Sequence, residues 1–347
     1  MKIALLTYFA SSSYGATLQT YATIKILKEL GHEVELVDYV IPEPPRSRIK
    51  NILMIPKMFG LKQFRNKYGC TYSKSYKSIA DLQNNPPKAD VYMIGSDQTW
   101  NTDISREMAR GFFLDFGNAD VKRVTYAASF GKEEWTDNQW MNKEDARKLL
   151  GKFDHILIRE KTGQRILKDT FGLDSVQVVD PVLLFPNYPE LTGQLNEVNE
   201  ISTFKLLDSS VFYAKMRELS KALDLPVRIV GSMRRKKGFL CSYPERVENW
   251  IKRIASAKYV VTDSFHGLVI SILYHRNFLV YQAIPERFTR LKDLLEMLGL
   301  NGRIVSLNDD TPSLLDKIKS PINWGAVDQI LGENRKKSIQ LMLDELK

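Results

Sequence analysis

With 347 residues, 44% hydrophobic and 26% charged, the chain is long enough for two packed domains and too ordinary in composition for a disordered or fibrous protein. Its two cysteines, Cys70 and Cys241, stand far apart and next to no histidine, which argues against a disulfide framework or structural zinc and fits a reducing, cytoplasmic setting. The net charge of +9 is concentrated: Arg46, Arg48, Lys50, Lys57, Lys62, Arg65, Lys67, Lys74 and Lys77 fall between 46 and 77 with no Asp or Glu among them.

The opening MKIALLTYFASSSYGA reads as a first buried strand rather than a signal peptide, because its apolar run is short, is broken by Thr7 and Tyr8 and flows into a helical pattern. The helix ATLQTYATIKILKELG follows, with Leu18, Tyr21, Ala22 and Ile26 at helical spacing and Gly31 as its stop. Gly15, Thr17 and Gln19 at its start are candidate ligand contacts, since a small-residue helix start offers backbone N–H groups to an anion. A plain helix cap uses the same residues. No dinucleotide or Walker glycine pattern is present.

After EVELVDY comes the basic segment 46–77, interleaved with Ile49, Ile52, Leu53, Ile55, Met58, Phe59, Leu61 and Phe64. Two readings fit it: an ordinary surface helix with a solvated face, and a helix that meets an anionic membrane surface or a diphosphate-linked lipid carrier. Nucleic acid is not expected, because no recognition motif accompanies the charge. No apolar run is long enough to span a membrane.

The strands DVYMIGS, RVTYAAS, HILIRE and VQVVDP then alternate with helical stretches, and ISTFKLL, PVRIVGS, KYVVTDS and FLVYQA repeat the scheme beyond a Pro-containing, aperiodic stretch at 183–200. The expectation is an α/β protein of two Rossmann-like domains with parallel sheets. Residues 1–185 would form the first domain, with 46–77 as an insertion, and 186–347 the second. Strand carboxyl ends would face a cleft between them, so the residues directly after strands are the ones to examine.

Those residues are Gly95, Ser96, Asp97, Gln98 and Trp100 in IGSDQTWN, Ser129 in SFG, Arg159 in IRE, Arg234 and Arg235 in GSMRRKK, and Ser264 and His266 in TDSFHG. Asp97 and Gln98 suit hydrogen bonding to a sugar and Trp100 stacking on one, although a structural turn needs the same types. Arg159 suits a carboxylate or phosphate, or a salt bridge to Glu160. Of His32, His155, His266 and His275, His266 alone lies between strand and helix among polar neighbours, where imidazole can exchange protons near neutrality.

YGATLQTYA, DVYMIGSDQTWN, VTYAASFG, ILIREKTG, VVDPVLL, VVTDSFHGLVISI and RFTRLKDLLEMLGLNGR together resemble the polysaccharide pyruvyl transferase family, in order from about residue 3 to about residue 303. The resemblance implies a GT-B-like arrangement of the two domains. It also implies phosphoenolpyruvate as donor, no further cofactor and no metal, and a glycan or lipid-diphosphate-linked oligosaccharide as acceptor in capsular, exo- or cell-wall polysaccharide synthesis. His266 falls on the family's histidine, the general acid/base, and Arg159 on the arginine of its RE motif, a catalytic donor contact. Several branches carry Arg-Leu-His where this chain has Ser264, so Arg234, Arg235, Arg287 or Arg290 would have to grip the anion. A nucleotide-sugar glycosyltransferase or a non-catalytic glycan-binding component would use the same two-domain frame. The expected location is cytoplasmic, with the basic segment able to touch the inner face of the plasma membrane.

Overall fold

The computed structural model describes the chain except residues 11, 40–47, 233–234, 243–244 and 284–287, and except the side chains of 48–53. Two parallel sheets result, as the alternating pattern predicts. The first contains β1 (Lys2–Leu6), β2 (Glu33–Tyr39), β3 (Tyr72–Tyr76), β4 (Val91–Ile94), β5 (Lys122–Ala128), β6 (His155–Ile158) and β7 (Val176–Gln177), in the order β3-β2-β1-β4-β5-β6-β7. The second contains β8 (Val198–Phe204), β9 (Val227–Val230), β10 (Leu240–Ser242), β11 (Ala257–Thr262), β12 (Asn277–Tyr281) and β13 (Ile304–Val305), in the order β10-β9-β8-β11-β12-β13. The central strands carry unbroken apolar runs because helices cover both faces of a parallel sheet; all four residues of VYMI in β4 are buried.

In both sheets the strand order reverses once, between β1 and β4 and between β8 and β11. Crossovers leave in opposite directions on either side of such a point, which opens a crevice at the strand carboxyl ends where ligands of open α/β sheets bind. The residues after β4 and after β11 are therefore placed by topology, not by local sequence.

The chain forms two compact units. One comprises Met1–Arg48, Lys62–Leu184 and Glu333–Lys347, the other Ile49–Leu61 and Phe185–Gly332. The last fifteen or so residues, expected with the second domain, thus belong to the first unit. There Ser338 Oγ accepts the backbone N–H of Val179 at 3.2 Å. The aperiodic stretch at 183–200 holds a 3-10 turn at Pro181–Leu184 and a short helix at Pro189–Thr192 before β8 begins. The basic segment is a helix over Arg48–Lys67 with Pro56 inside it, followed by β3 at the sheet edge.

The core of the first unit is aromatic beneath the β4 and β5 carboxyl ends. Trp100 packs its ring 5.4 Å from Phe130, 5.6 Å from Phe153 and 5.8 Å from Phe113. The second core is mainly aliphatic, built from Ile201, Met216, Leu219, Val261, Leu279 and Leu314 around Phe212 and Tyr281.

Candidate active site

At the β1/β4 reversal, polar side chains interlock. Thr7 Oγ1 donates to the Ser96 carbonyl at 2.7 Å and accepts from Gln19 Nε2 at 2.9 Å. Ser96 Oγ donates to Asp180 at 2.9 Å, and Arg159 Nη1 donates to the same carboxylate oxygen at 2.9 Å and to Ser96 Oγ at 3.2 Å. Asp97 and Glu160 each approach the Arg159 guanidinium to 3.8 Å. Burial disfavours the Arg159 cation, but Asp180, Asp97 and Glu160 together outweigh it and raise its pKa above the ordinary arginine value.

Glu160 in turn closes the next loop. Its Oε1 accepts from Ser129 Oγ at 2.7 Å and from the N–H groups of Phe130 and Gly131 at 3.1 and 3.3 Å. A bulge at Ala127, where φ is +57° and the β5–β6 register shifts, turns the end of β5 so that these donors face the carboxylate. Gly131 (φ +61°) is required here, since a Cβ would lie 1.8 Å from Gln98 Nε2.

These contacts correct several expectations. Arg159 is 2% exposed in its side chain and surrounded by three carboxylates, so a donor anion would meet net negative charge there. Trp100 is 1% exposed and donates Nε1–H to the Phe112 carbonyl at 3.0 Å, so it is a core ring and not a sugar platform. Gly15, Thr17 and Gln19 lie buried in the helix Tyr14–Glu29, whose first turn is capped by Ser13 Oγ accepting from Ala16 N–H. Thr17 Oγ1 donates to the Ser13 carbonyl. Gly95 is buried with Thr7 Cβ 3.1 Å from where its own Cβ would stand, and Ser96 and Ser129 are wholly buried. Asp97 and Gln98 are the half-buried members of the group. Asp97 holds the left-handed region at φ +87°, uncommon for a residue with a side chain and of the kind that collects at binding sites.

At the β8/β11 reversal the second unit builds a different arrangement. Asp263, directly after β11, accepts the N–H groups of Leu206 and Leu207 at 2.7 and 3.3 Å and pairs with Lys205 Nζ at 3.3 Å. Lys205 also lies 4.2 Å over the Phe212 ring. This buried pair, 4% and 2% exposed, bridges the ends of β8 and β11. Sequence reasoning does not find Lys205; the available signal is a single cation directly after the strand end ISTF.

Ser264 caps the helix Phe265–Leu273 by accepting from Gly267 N–H at 3.4 Å, so the position at which the resemblance implies an arginine in several branches is a helix cap in this chain. Gly267 lets the helix start against the strand: a Cβ would stand 2.5 Å from Thr262 Oγ1. His266, 6% exposed, meets the Phe265 ring edge-on at 5.3 Å, and Arg290 lies 5.8 Å over that same ring. Phe265 therefore joins His266 and Arg290 in one cluster. Arg235 is exposed after β9, whereas Arg234 and Arg287 lie outside the described residues.

Comparison with solved structures gives the fold. The chain superimposes over its full length on a UDP-N-acetylglucosamine 2-epimerase from Listeria monocytogenes (TM-score 0.61, 12% identity, 96% of that chain). It does the same on Spinosyn Forosaminyltransferase SpnP (TM-score 0.56, 12% identity, 99% of that chain). A UDP-GlcNAc 2-epimerase from Methanocaldococcus jannaschii also aligns over the whole chain, at TM-score 0.54, 9% identity and 99% of that chain. These neighbours place the chain in the GT-B fold. No curated protein matches it by sequence. The sequence model described as polysaccharide pyruvyl transferase matches residues 14–282, which include Asp97, Arg159, Lys205 and His266, and the chain belongs to that transferase family.

Proposed function

We propose that the chain transfers pyruvyl from phosphoenolpyruvate to two hydroxyls of a glycan, forming a ketal and releasing phosphate. The observation that carries this reading is the cluster after β11, where His266 and Arg290 both lie against the Phe265 ring beside a strand-order reversal. The donor is an enol phosphate. A proton delivered to its methylene carbon leaves positive charge on the central carbon, which one hydroxyl attacks. Phosphate departs, the second hydroxyl adds, and the two hydroxyl protons replace the one spent and protonate the phosphate.

In this reading His266 supplies and then removes protons, and Arg290 holds the donor carboxylate or phosphate. Asp97 and Gln98 hydrogen-bond the acceptor sugar. Arg159 acts as a positioning residue, fixing Ser96 and Asp97 through its ion pairs. The acceptor is carried on a lipid diphosphate, which the helix Arg48–Lys67 helps to approach. Ile55 and Phe59 stand 61% and 60% exposed on that helix, with Lys62 also at its surface, which supports contact with an anionic lipid surface. Among the described residues no helix is long and apolar enough to cross a membrane.

The test is phosphate release and product mass with phosphoenolpyruvate and a lipid-linked oligosaccharide. His266→Ala is expected to lose nearly all turnover while keeping its circular dichroism, and Arg290→Ala to raise the KM for phosphoenolpyruvate. Stabilisation by uridine diphosphate with phosphoenolpyruvate inert would replace this reading with a nucleotide-sugar transferase.

A further inference from the structure

At the amino ends of β6 and β7, the opposite edge of the sheet from Asp97, the first unit holds a pocket of about 450 Å³. The helix Trp324–Glu345 forms one wall, and the approaches to the two strands form the others. Leu150, Phe153, Leu157, Leu173 and Leu341 line it with apolar surface. Glu345 lines it too, and this carboxyl is 3% exposed with no hydrogen-bond partner on either oxygen. The half-buried Ser175, also in the lining, has a buried hydroxyl oxygen without a partner.

A buried carboxyl with neither oxygen hydrogen-bonded carries a desolvation cost that the fold leaves largely uncompensated. The remaining ionisable lining residues are Asp154, Asp174, Asp344 and the exposed His155, and no Lys or Arg is among them. Asp154 accepts the Arg123 N–H, Asp174 pairs with Lys168, and Asp344 pairs with Lys347, so each of these has its own partner. The lining thus offers carboxyl groups and no cation of its own, on a chain of net charge +9. Burial pushes the Glu345 carboxyl up to about 9, against the opposing pull of Lys122 in β5, so at neutral pH it holds a proton.

We propose that this pocket binds a small organic monocation, an alkyl- or arylammonium whose apolar body rests on the leucines and Phe153 and whose ammonium pairs with Glu345. The Ser175 hydroxyl supplies a second acceptor for the same head group. A cation of this kind favours the ionised carboxylate, so binding converts the neutral carboxyl to its anion and releases that proton to solvent. The pocket lies at the other end of this sheet from Asp97 and Gln98, and no residue given a role in the transfer lines it.

Isothermal titration of the full chain with hexylammonium and phenethylammonium near neutral pH, with hexan-1-ol as the neutral comparator, tests this. Saturable binding of the ammonium ions at least about tenfold tighter than that of hexan-1-ol is expected. Titrations in buffers of different ionisation enthalpy should report close to one proton released per ion bound. Glu345→Gln, nearly isosteric with the neutral acid, should weaken the ammonium ions about tenfold or more and leave hexan-1-ol unchanged. Leu341→Trp, which fills the pocket while keeping Glu345, should remove all binding. Equal affinity for the alcohol, no proton release, ammonium binding indifferent to either substitution, or no saturable binding would each overturn the proposal.

Discussion

Arg159 illustrates how a residue can occupy a functional motif and still be held by structure. As the arginine after β6 it is placed for an anion, yet Asp180, Asp97 and Glu160 already compensate it in a water-poor setting. Removing the guanidinium leaves those carboxylates buried without their cation, which costs about 3–5 kcal/mol. Arg159→Met is therefore expected to lower the melting temperature markedly, with the KM for phosphoenolpyruvate unchanged in whatever enzyme remains folded. A raised KM at unchanged stability would return Arg159 to the donor site. For this residue, as for Trp100, the sequence showed a side-chain type at a strand end but not which way it faces. The position of His266 was more legible: Ser264 and Gly267 mark a strand-to-helix corner, and the structure puts the histidine in the first turn of that helix. Lys205 was missed because its partner, Asp263, lies 58 residues away and only the β8–β11 pairing brings them together.

At the scale of elements, the helix Phe265–Leu273 delivers His266, and its start is set by two contacts: the Ser264 cap and the close approach of Gly267 to Thr262. The cap contributes roughly 1 kcal/mol. Ser264→Ala should cost about that much in denaturant unfolding and lower turnover only modestly, since the helix remains docked along its fully buried length. A complete loss of turnover in a folded Ser264→Ala variant would mean that the hydroxyl touches substrate and is not merely a cap. The central strands were easy to read because parallel strands covered on both faces are continuous apolar runs. The edge strands β3, β10 and β13 were not: YSKSY, LCS and IV are short or polar, and they pair only because a neighbouring strand offers an open edge.

Across the whole molecule, the carboxyl-terminal segment Glu333–Lys347 completes the unit that the amino terminus begins. Met342 and Leu346 are buried there, and Glu345 is buried with them as a neutral acid. The sign of the resulting pH dependence follows from the raised pKa. Between the ordinary glutamate value near 4.5 and the folded value of about 9, the folded chain holds a proton that the unfolded chain has lost. Stability from this group is full below pH 4.5 and declines as pH rises towards 9, by at most about 1.4 kcal/mol per pH unit. Glu345→Gln should flatten that part of the stability profile in urea titrations at a series of pH values. An unchanged slope would mean that the carboxyl ionises without cost in the folded chain.

The sequence by itself determined the fold class, the two parallel sheets and the family, because these rest on local periodicity and on short motifs whose residues are contiguous. It also singled out His266, whose setting is written in its immediate neighbours. Only the tertiary structure decided what each strand-end residue faces. Trp100 went to a core, Ser264 to a cap, Arg159 to three carboxylates and Arg290 to the ring beside His266. Strand order, which joins residues 58 or 84 positions apart, is a property of crossover packing that no local stretch encodes.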